Sequence, residues 1–310
     1  MMSKRRVIRV ATRPSLLAKR QTEQTVALLK SKNPEVDFEI KTFSTKGDLV
    51  LDRSLTQFGT TGLFVKELEM AMLNGEADIA VHSLKDVPSM TPTQFCLHAY
   101  PKREKAQDVL LTRHGEKLED LKEGFVLGTG SPRRRVQIAQ LRPDVIFKDI
   151  RGNIDTRIKK LHNGEYDAII LAAAGMNRLD IAFDINSVIS LDDMVPAIGQ
   201  GAIAIECLKN DDFSKDIVSS INDYDTEKAV LAERAFMREI EGGCKFPLAA
   251  HAIYEGDKLK MTALVGDGKS MKQIKHTVFL DILNTEKESI ELAKVMKQEC
   301  KDKDINYHLF

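Results

Sequence analysis

Arg6-Val-Ile-Arg-Val-Ala-Thr12, then Arg13-Pro14, then Ser15-Leu-Leu-Ala-Lys-Arg-Gln-Thr-Glu-Gln-Thr-Val-Ala-Leu-Leu-Lys-Ser31, is a strand, a turn and a helix written in order. The first run is short and rich in β-branched residues, and the last repeats its apolar positions at helical spacing. Working outward, 36–43 alternates as a strand, 63–74 reads as a helix and 78–82 as a further strand. That order, β-α-β-α-β, predicts an α/β layer with a mixed or mainly parallel sheet.

A second unit of the same kind follows. Strands are expected at 108–112, 125–128, 145–150 and 167–172, with helices from Ser131 to Leu141 and from Asn153 to His162. Ser131-Pro132 is a helix start, because serine caps open backbone N–H groups and proline is tolerated at the first helical position. Arg133, Arg134 and Arg135 then fall in the first turn, where cations oppose the helix dipole, so the reading is either an anionic ligand there or a solvated helix end. Residues 224–241 read as a long helix opened by Asp225-Thr226-Glu227, with Gly242-Gly243 placed to end it. The remainder reads as strands at 250–254, 258–265 and 273–281 and a helix at 285–300, a small α+β domain.

The composition is that of an ordinary folded chain: 310 residues, 43% hydrophobic and 30% charged, enough for two or three domains. Lys and Arg (46) balance Asp and Glu (46), so no overall field draws in nucleic acid, and tryptophan is absent. Any electropositive site must be local. Arg9 and Arg13 interrupt what would be the apolar core of an export signal, and the longest apolar run, Ile169 to Met176, is far short of the roughly 18 residues a span needs. A cytoplasmic protein with no membrane partner is expected. Cys96, Cys207, Cys244 and Cys300 form no C-x-x-C pair, and the histidines show no ligand spacing, so neither a disulfide framework nor a metal site is expected.

Familiar signatures fail. Gly128-Thr129-Gly130-Ser131-Pro132-Arg133 lacks the third glycine of a dinucleotide loop, and Gly199-Gln200-Gly201 precedes a strand instead of following one. What remains is a set of basic residues near strand ends: Arg13, Lys85, Arg133, Arg134, Arg151, Arg157 and Arg178. Ligands of open α/β sheets sit at the carboxyl ends of strands, and the arginine fork suits carboxylates and phosphates. A cleft for a multiply anionic small molecule follows. Val81-His82-Ser83-Leu84-Lys85-Asp86-Val87-Pro88 places Lys85 and Asp86 on a turn after a strand, either as a loop ion pair or as a proton carrier. Cys244, just past a helix C-terminus, is electrostatically a poor place for a thiolate, with only Lys245 to favour one.

Five motifs in order, Gly62-Leu-Phe-Val-Lys-Glu-Leu-Glu69, Val81-His-Ser-Leu-Lys-Asp86, Gly128-Thr-Gly-Ser-Pro-Arg-Arg134, Arg151-Gly-Asn-Ile-Asp-Thr-Arg157 and Pro196-Ala-Ile-Gly-Gln-Gly-Ala202, together with Glu-Gly-Gly-Cys244, make the chain resemble the porphobilinogen deaminases. The resemblance covers most of the chain and weakens over the last sixty residues. It implies two α/β lobes like those of periplasmic binding proteins, with a cleft between them, plus a small C-terminal α+β domain carrying the cysteine loop. The expected boundaries are 1–102 with 201–221, then 103–200, then 222–310. It also implies stepwise condensation of four porphobilinogen molecules to hydroxymethylbilane, with release of ammonia, by a monomer.

The same resemblance implies a dipyrromethane cofactor joined by a thioether to Cys244, Asp86 as the catalytic group, and cofactor or substrate contacts from Arg13, Ser15, Phe64, Lys85, Thr129, Ser131, Arg133, Arg134, Arg151, Arg157, Arg178 and Gln200. The chain departs from the family where lysines are common, at Gln57 and Thr61, and carries Pro14 and Pro132 in two ligand loops. The alternative is a non-catalytic bilobal binding protein for an anionic small molecule, which would need neither Cys244 nor Asp86.

Overall fold

The computed structural model describes residues 6–44, 65–240 and 246–308. Phe64, Gln57, Thr61, Cys244 and the Gly242-Gly243 helix stop lie outside the described residues. The chain divides into two compact units, residues 1–103 with 202–227, and 104–201 with 228–310.

In the first unit the opening strand and helix are β1 (Val7–Thr12) and α1 (Leu16–Lys32). Ser15 caps α1, its Oγ accepting from Ala18 N at 3.3 Å. The sheet continues with β2 (Asp37–Thr42), β3 (Ile79–Ser83), β4 (Phe95–Ala99) and β9 (Ile203–Leu208), and α2 (Lys66–Leu73) and α6 (Asp212–Ser219) pack on it. Strand order is β2-β1-β3-β9-β4. The first three are parallel, and β9 enters antiparallel to both of its neighbours. Both faces are covered: Val10, Ile79 and Val81 join one core with Leu29 and Val218, whereas Ala11 and Ala80 join another with Leu68 and Met72. Side chains alternate across a strand, so a sheet buried on both sides reads as continuously apolar.

The second unit holds a four-stranded sheet in the order β5-β8-β6-β7, from β5 (Asp108–Thr112), β6 (Val126–Gly128), β7 (Ile146–Lys148) and β8 (Ala168–Ala172). Here β6, β7 and β8 are parallel and β5 runs against β8. The crossing helices are α3 (Pro132–Leu141) and α4 (Ile154–His162), and α5 (Ala173–Arg178) leaves β8 directly. Ser131 is the cap and Pro132 the first residue of α3. The strand expected over 145–150 is shorter, because Ile150, Arg151 and Gly152 turn away into α4; Gly152 sits at φ +111°, a region that disfavours side chains.

The same unit holds the antiparallel meander β10 (Leu248–Glu255), β11 (Lys258–Gly266) and β12 (Gln273–Leu280). One face packs on α7 (Tyr224–Ile240) and α8 (Thr285–Asp302), with Phe236, Met261, Ala263 and Met296 fully buried between them. Burying a side chain of that size stabilises by about 1.5–3 kcal/mol. The α7 cap is Asp223, not Asp225: its Oδ1 accepts from Thr226 N at 2.9 Å. Among the described residues no helix is long and apolar enough to cross a membrane.

Candidate functional site

In the first unit the loops after β1 and β3 leave the same edge of the sheet, since those strands are parallel neighbours. Arg13 follows β1, and the single 3-10 turn Leu84–Asp86 follows β3. Val87 N closes that turn on Leu84 O at 3.1 Å, and Leu84 N is tied to Ala202 O at 3.1 Å. The backbone of the turn that carries Asp86 is therefore tied down at the strand end. A small pocket brings Arg13 and Asp86 together with Gln21, His82, Ser83 and Val65. Buried Gln21 supports its wall, Nε2 donating to Ser83 Oγ at 2.9 Å. Lys85 is half-buried on the same turn.

In the second unit the corresponding edge is cationic. Thr129, Ser131, Arg133 and Arg134 follow β6, Arg151 follows β7 and Arg178 lies at the end of α5 after β8. Arg133 and Arg134 do not point freely outward. Arg134 Nη2 and Nε donate to Asp108 Oδ1 at 2.7 and 3.2 Å, and Arg133 Nη1 meets Asp108 Oδ2 at 2.8 Å. Gln200 Nε2 reaches the same carboxylate at 3.0 Å. Asp108 is fully buried; burial alone would push its carboxyl up, but the charges of Arg133 and Arg134 outweigh that and hold it below the usual carboxylate range. The anion called for at the start of α3 is in part this aspartate, which no motif marked. Two guanidiniums against one carboxylate leave the cluster with a surplus positive charge.

Arg157 deepens that surplus. On the first turn of α4, it donates from Nε to Gly152 O at 2.8 Å, and its charged neighbours are Arg134 and Arg151, both cations. Burial, then those two charges, push its guanidinium down to about 10. Among the described residues no acid adds to the field on it, and holding a buried cation beside two others is unfavourable. Arg178 is placed differently: buried, it donates from Nη2 to Gly201 O at 2.7 Å and has Glu104 nearby. Gly201 must lack a side chain, since at φ +85° a Cβ would collide with Glu104 O.

The loop between β6 and α3 is stiff. Thr129 Oγ1 accepts from Ser131 N at 3.2 Å, and Arg135 Nη2 binds Thr129 O at 2.9 Å and Asp149 at 2.6 Å. Arg133, Arg134 and Gln200 thus meet on Asp108, Arg134, Arg151 and Arg157 share one electrostatic neighbourhood, and Arg13 and Asp86 line one pocket. Ser15, as a helix cap, and Arg178 stand apart from these groupings.

Comparison with known proteins places the chain in a family. The family model described as "Porphobilinogen deaminase, dipyromethane cofactor binding domain" matches residues 8–216, and "Porphobilinogen deaminase, C-terminal domain" matches 227–301. The chain is 46% identical over 275 residues to the porphobilinogen deaminase of Geobacillus sp. (strain WCH70), covering 88% of each chain. It is 43% identical over 291 residues to that of Clostridioides difficile (strain 630), covering 94% of this chain and 97% of the relative. Among solved structures, the periplasmic VFT2 domain of Bordetella pertussis BvgS aligns at 17% identity and a TM-score of 0.42, covering 69% of this chain and 86% of that one. The sequence matches span both units, and the chain belongs to the porphobilinogen deaminase family.

Proposed function

We propose that this enzyme is a transferase that joins four porphobilinogen molecules head to tail into hydroxymethylbilane, with Asp86 as the proton-carrying group and the arginine edge as the holder of pyrrole carboxylates. The observation that carries the reading is Arg157, whose charged neighbours Arg134 and Arg151 are cations, in a family whose matched domain is described as binding a dipyromethane cofactor. A dipyrromethane bearing acetate and propionate groups fits such a donor set, because charge-assisted hydrogen bonds from arginine are strong and often paired. Arg151, Arg157 and the N–H groups of Arg133 and Arg134 not used on Asp108 would hold it, with Thr129 and Ser131 in support. When bound through a thioether to Cys244, it supplies the growing end of the chain.

Each addition breaks a C–N bond as ammonia leaves the substrate's aminomethyl group, forms a C–C bond and releases the proton of the attacked ring carbon. Asp86, fixed on its turn, can stabilise the positive charge left on the substrate's methylene-pyrrole and take up that proton. Arg13, in the same pocket, offers a fork for a substrate carboxylate. We assign Lys85, Ser15, Phe64, Gln200 and Arg178 supporting contacts to substrate or cofactor. We read the three domains as 1–102 with 201–221, 103–200 and 222–310, and the protein as a cytoplasmic monomer.

The test is to supply porphobilinogen and follow ammonia and hydroxymethylbilane together. Equimolar release of ammonia per unit consumed is expected. Binding without ammonia release would instead make the chain a non-catalytic binding protein.

A further inference from the structure

The acid that the fold buries most completely in the first unit lies behind the pocket, on β9. Glu206 is 0% exposed in a strand otherwise made of Ile203, Ala204, Ile205 and Cys207. Its register partner is Ala80, and that of His82 is Ala204, which puts Glu206 and His82 on one face of the sheet. There His82 Nε2 lies 3.0 Å from Glu206 Oε2, with the two side chains 4% and 0% exposed. Ala80, on the same face, packs against Leu68, Ala71 and Met72 of α2. That helix therefore covers the pair, and it carries Glu69, whose charged neighbours are Glu206, His82 and Lys66.

One atom is out of balance. Glu206 Oε1 is buried and has no hydrogen-bond partner among the described residues. Leaving a buried acceptor unmet is costly, and a proton held between this carboxylate and the groups around it would meet the unpaired oxygen. Glu69 is the group able to supply it. Burial, then the charge of Glu206, push its carboxyl up to about 7, against the opposing pull of His82 and Lys66. His82 in turn is the residue before Ser83 and the Leu84–Asp86 turn, and it lines the pocket that holds Arg13 and Asp86.

We propose that the buried pair Glu206 and His82, together with half-buried Glu69, holds one exchangeable proton behind the Asp86 pocket, and that through it Glu206 is a positioning residue for the Ser83–Asp86 turn. The second half rests on the reading of Asp86 as the catalytic carboxylate; the first half does not. The groups facing the cluster are Lys66 and Glu69 from α2, His82 from β3 and Glu206 from β9, with Arg13 and Asp86 at the pocket mouth.

The experiment uses the full chain labelled at histidine, with the His82 ring signals assigned by their loss in His82→Gln and followed by NMR from about pH 5 to about pH 9. The expected result is an inflection near pH 7 that disappears in Glu69→Gln, a substitution at a half-buried helix site that keeps the fold, and persists in Asp86→Asn. No inflection in the unmutated chain, or one unchanged in Glu69→Gln, overturns the shared proton. In the kinetic arm, Glu206→Gln lowers kcat about tenfold, leaves KM within about twofold and alters the pH dependence of kcat. A pH dependence of kcat unchanged in shape overturns the positioning role. Full turnover by Asp86→Asn with the His82 inflection behaving as expected would overturn the reading of Asp86 and leave the cluster standing.

Discussion

The two α/β sheets present the same architectural edge with opposite chemistry. At the carboxyl ends of β1 and β3 lies a small pocket lined by one carboxyl group, Asp86, and by His82, which is paired with the buried Glu206. At the carboxyl ends of β6, β7 and β8 lie guanidiniums in excess of the aspartate that anchors them. One edge is suited to moving a proton and the other to gripping anions. A repeated fold thus carries loops of different charge on similar strands, which is how the proposed reaction would be divided.

The sharpest way to break the comparison is to neutralise the proton carrier. Asp86→Asn is expected to keep the fold and the bound dipyrromethane while lowering turnover by about 10²–10⁴, the usual weight of a positioned acid–base group. Rates near those of the unmutated enzyme would remove the distinction between the edges. Next comes the anchor of the cationic edge. Asp108→Ala leaves Arg133 and Arg134 buried with no counter-charge, and a loss of about 3–5 kcal/mol in denaturant unfolding is expected. A loss under about 1 kcal/mol would mean that the guanidiniums find other partners.

Arg157→Gln separates binding from stability. It removes a cation repelled by Arg134 and Arg151, so unfolding free energy should hold or rise, while retention of pyrrole carboxylates falls about 10–100-fold. A parallel loss of stability would mark Arg157 as structural. The smallest effect is the pH dependence of Glu69. Its folded value, about 7, lies above the ordinary 4.5, so the stability it contributes is complete below the ordinary value and is lost as pH rises through about 7. Glu69→Gln should therefore gain on the unmutated chain in thermal melts as pH climbs across that window, and melts that stay parallel would contradict the shift.

Much of this was legible in the residues themselves. Arg6 to Ser31 announced a strand, a turn and a helix, and Ser131-Pro132 announced the start of α3, because local propensity and packing agree there. The gathering of the basic residues after β6, β7 and β8 was readable for the same reason, because parallel topology puts those loops on one edge. Asp108 was not readable, since a single aspartate opening a strand has no motif and its partners stand 25 and 26 positions away. Glu206 was hidden for a like reason, its histidine lying 124 positions earlier in the chain. The antiparallel entry of β9 between β3 and β4 was also invisible, because periodicity marks a strand but not its neighbours. The catalytic assignment of Asp86 came from family resemblance and not from spacing, which left a loop ion pair open.

The central claim, an enzyme that extends a primer it carries on its own cysteine, is tested most directly by the intact mass of the purified chain beside that of Cys244→Ala, before and after incubation with porphobilinogen. The expected result is a two-pyrrole excess on the unmutated chain, with further additions on incubation, and no excess on the variant. An unmutated chain without that excess, before and after incubation, would contradict the account and leave a bilobal protein that only binds its anion.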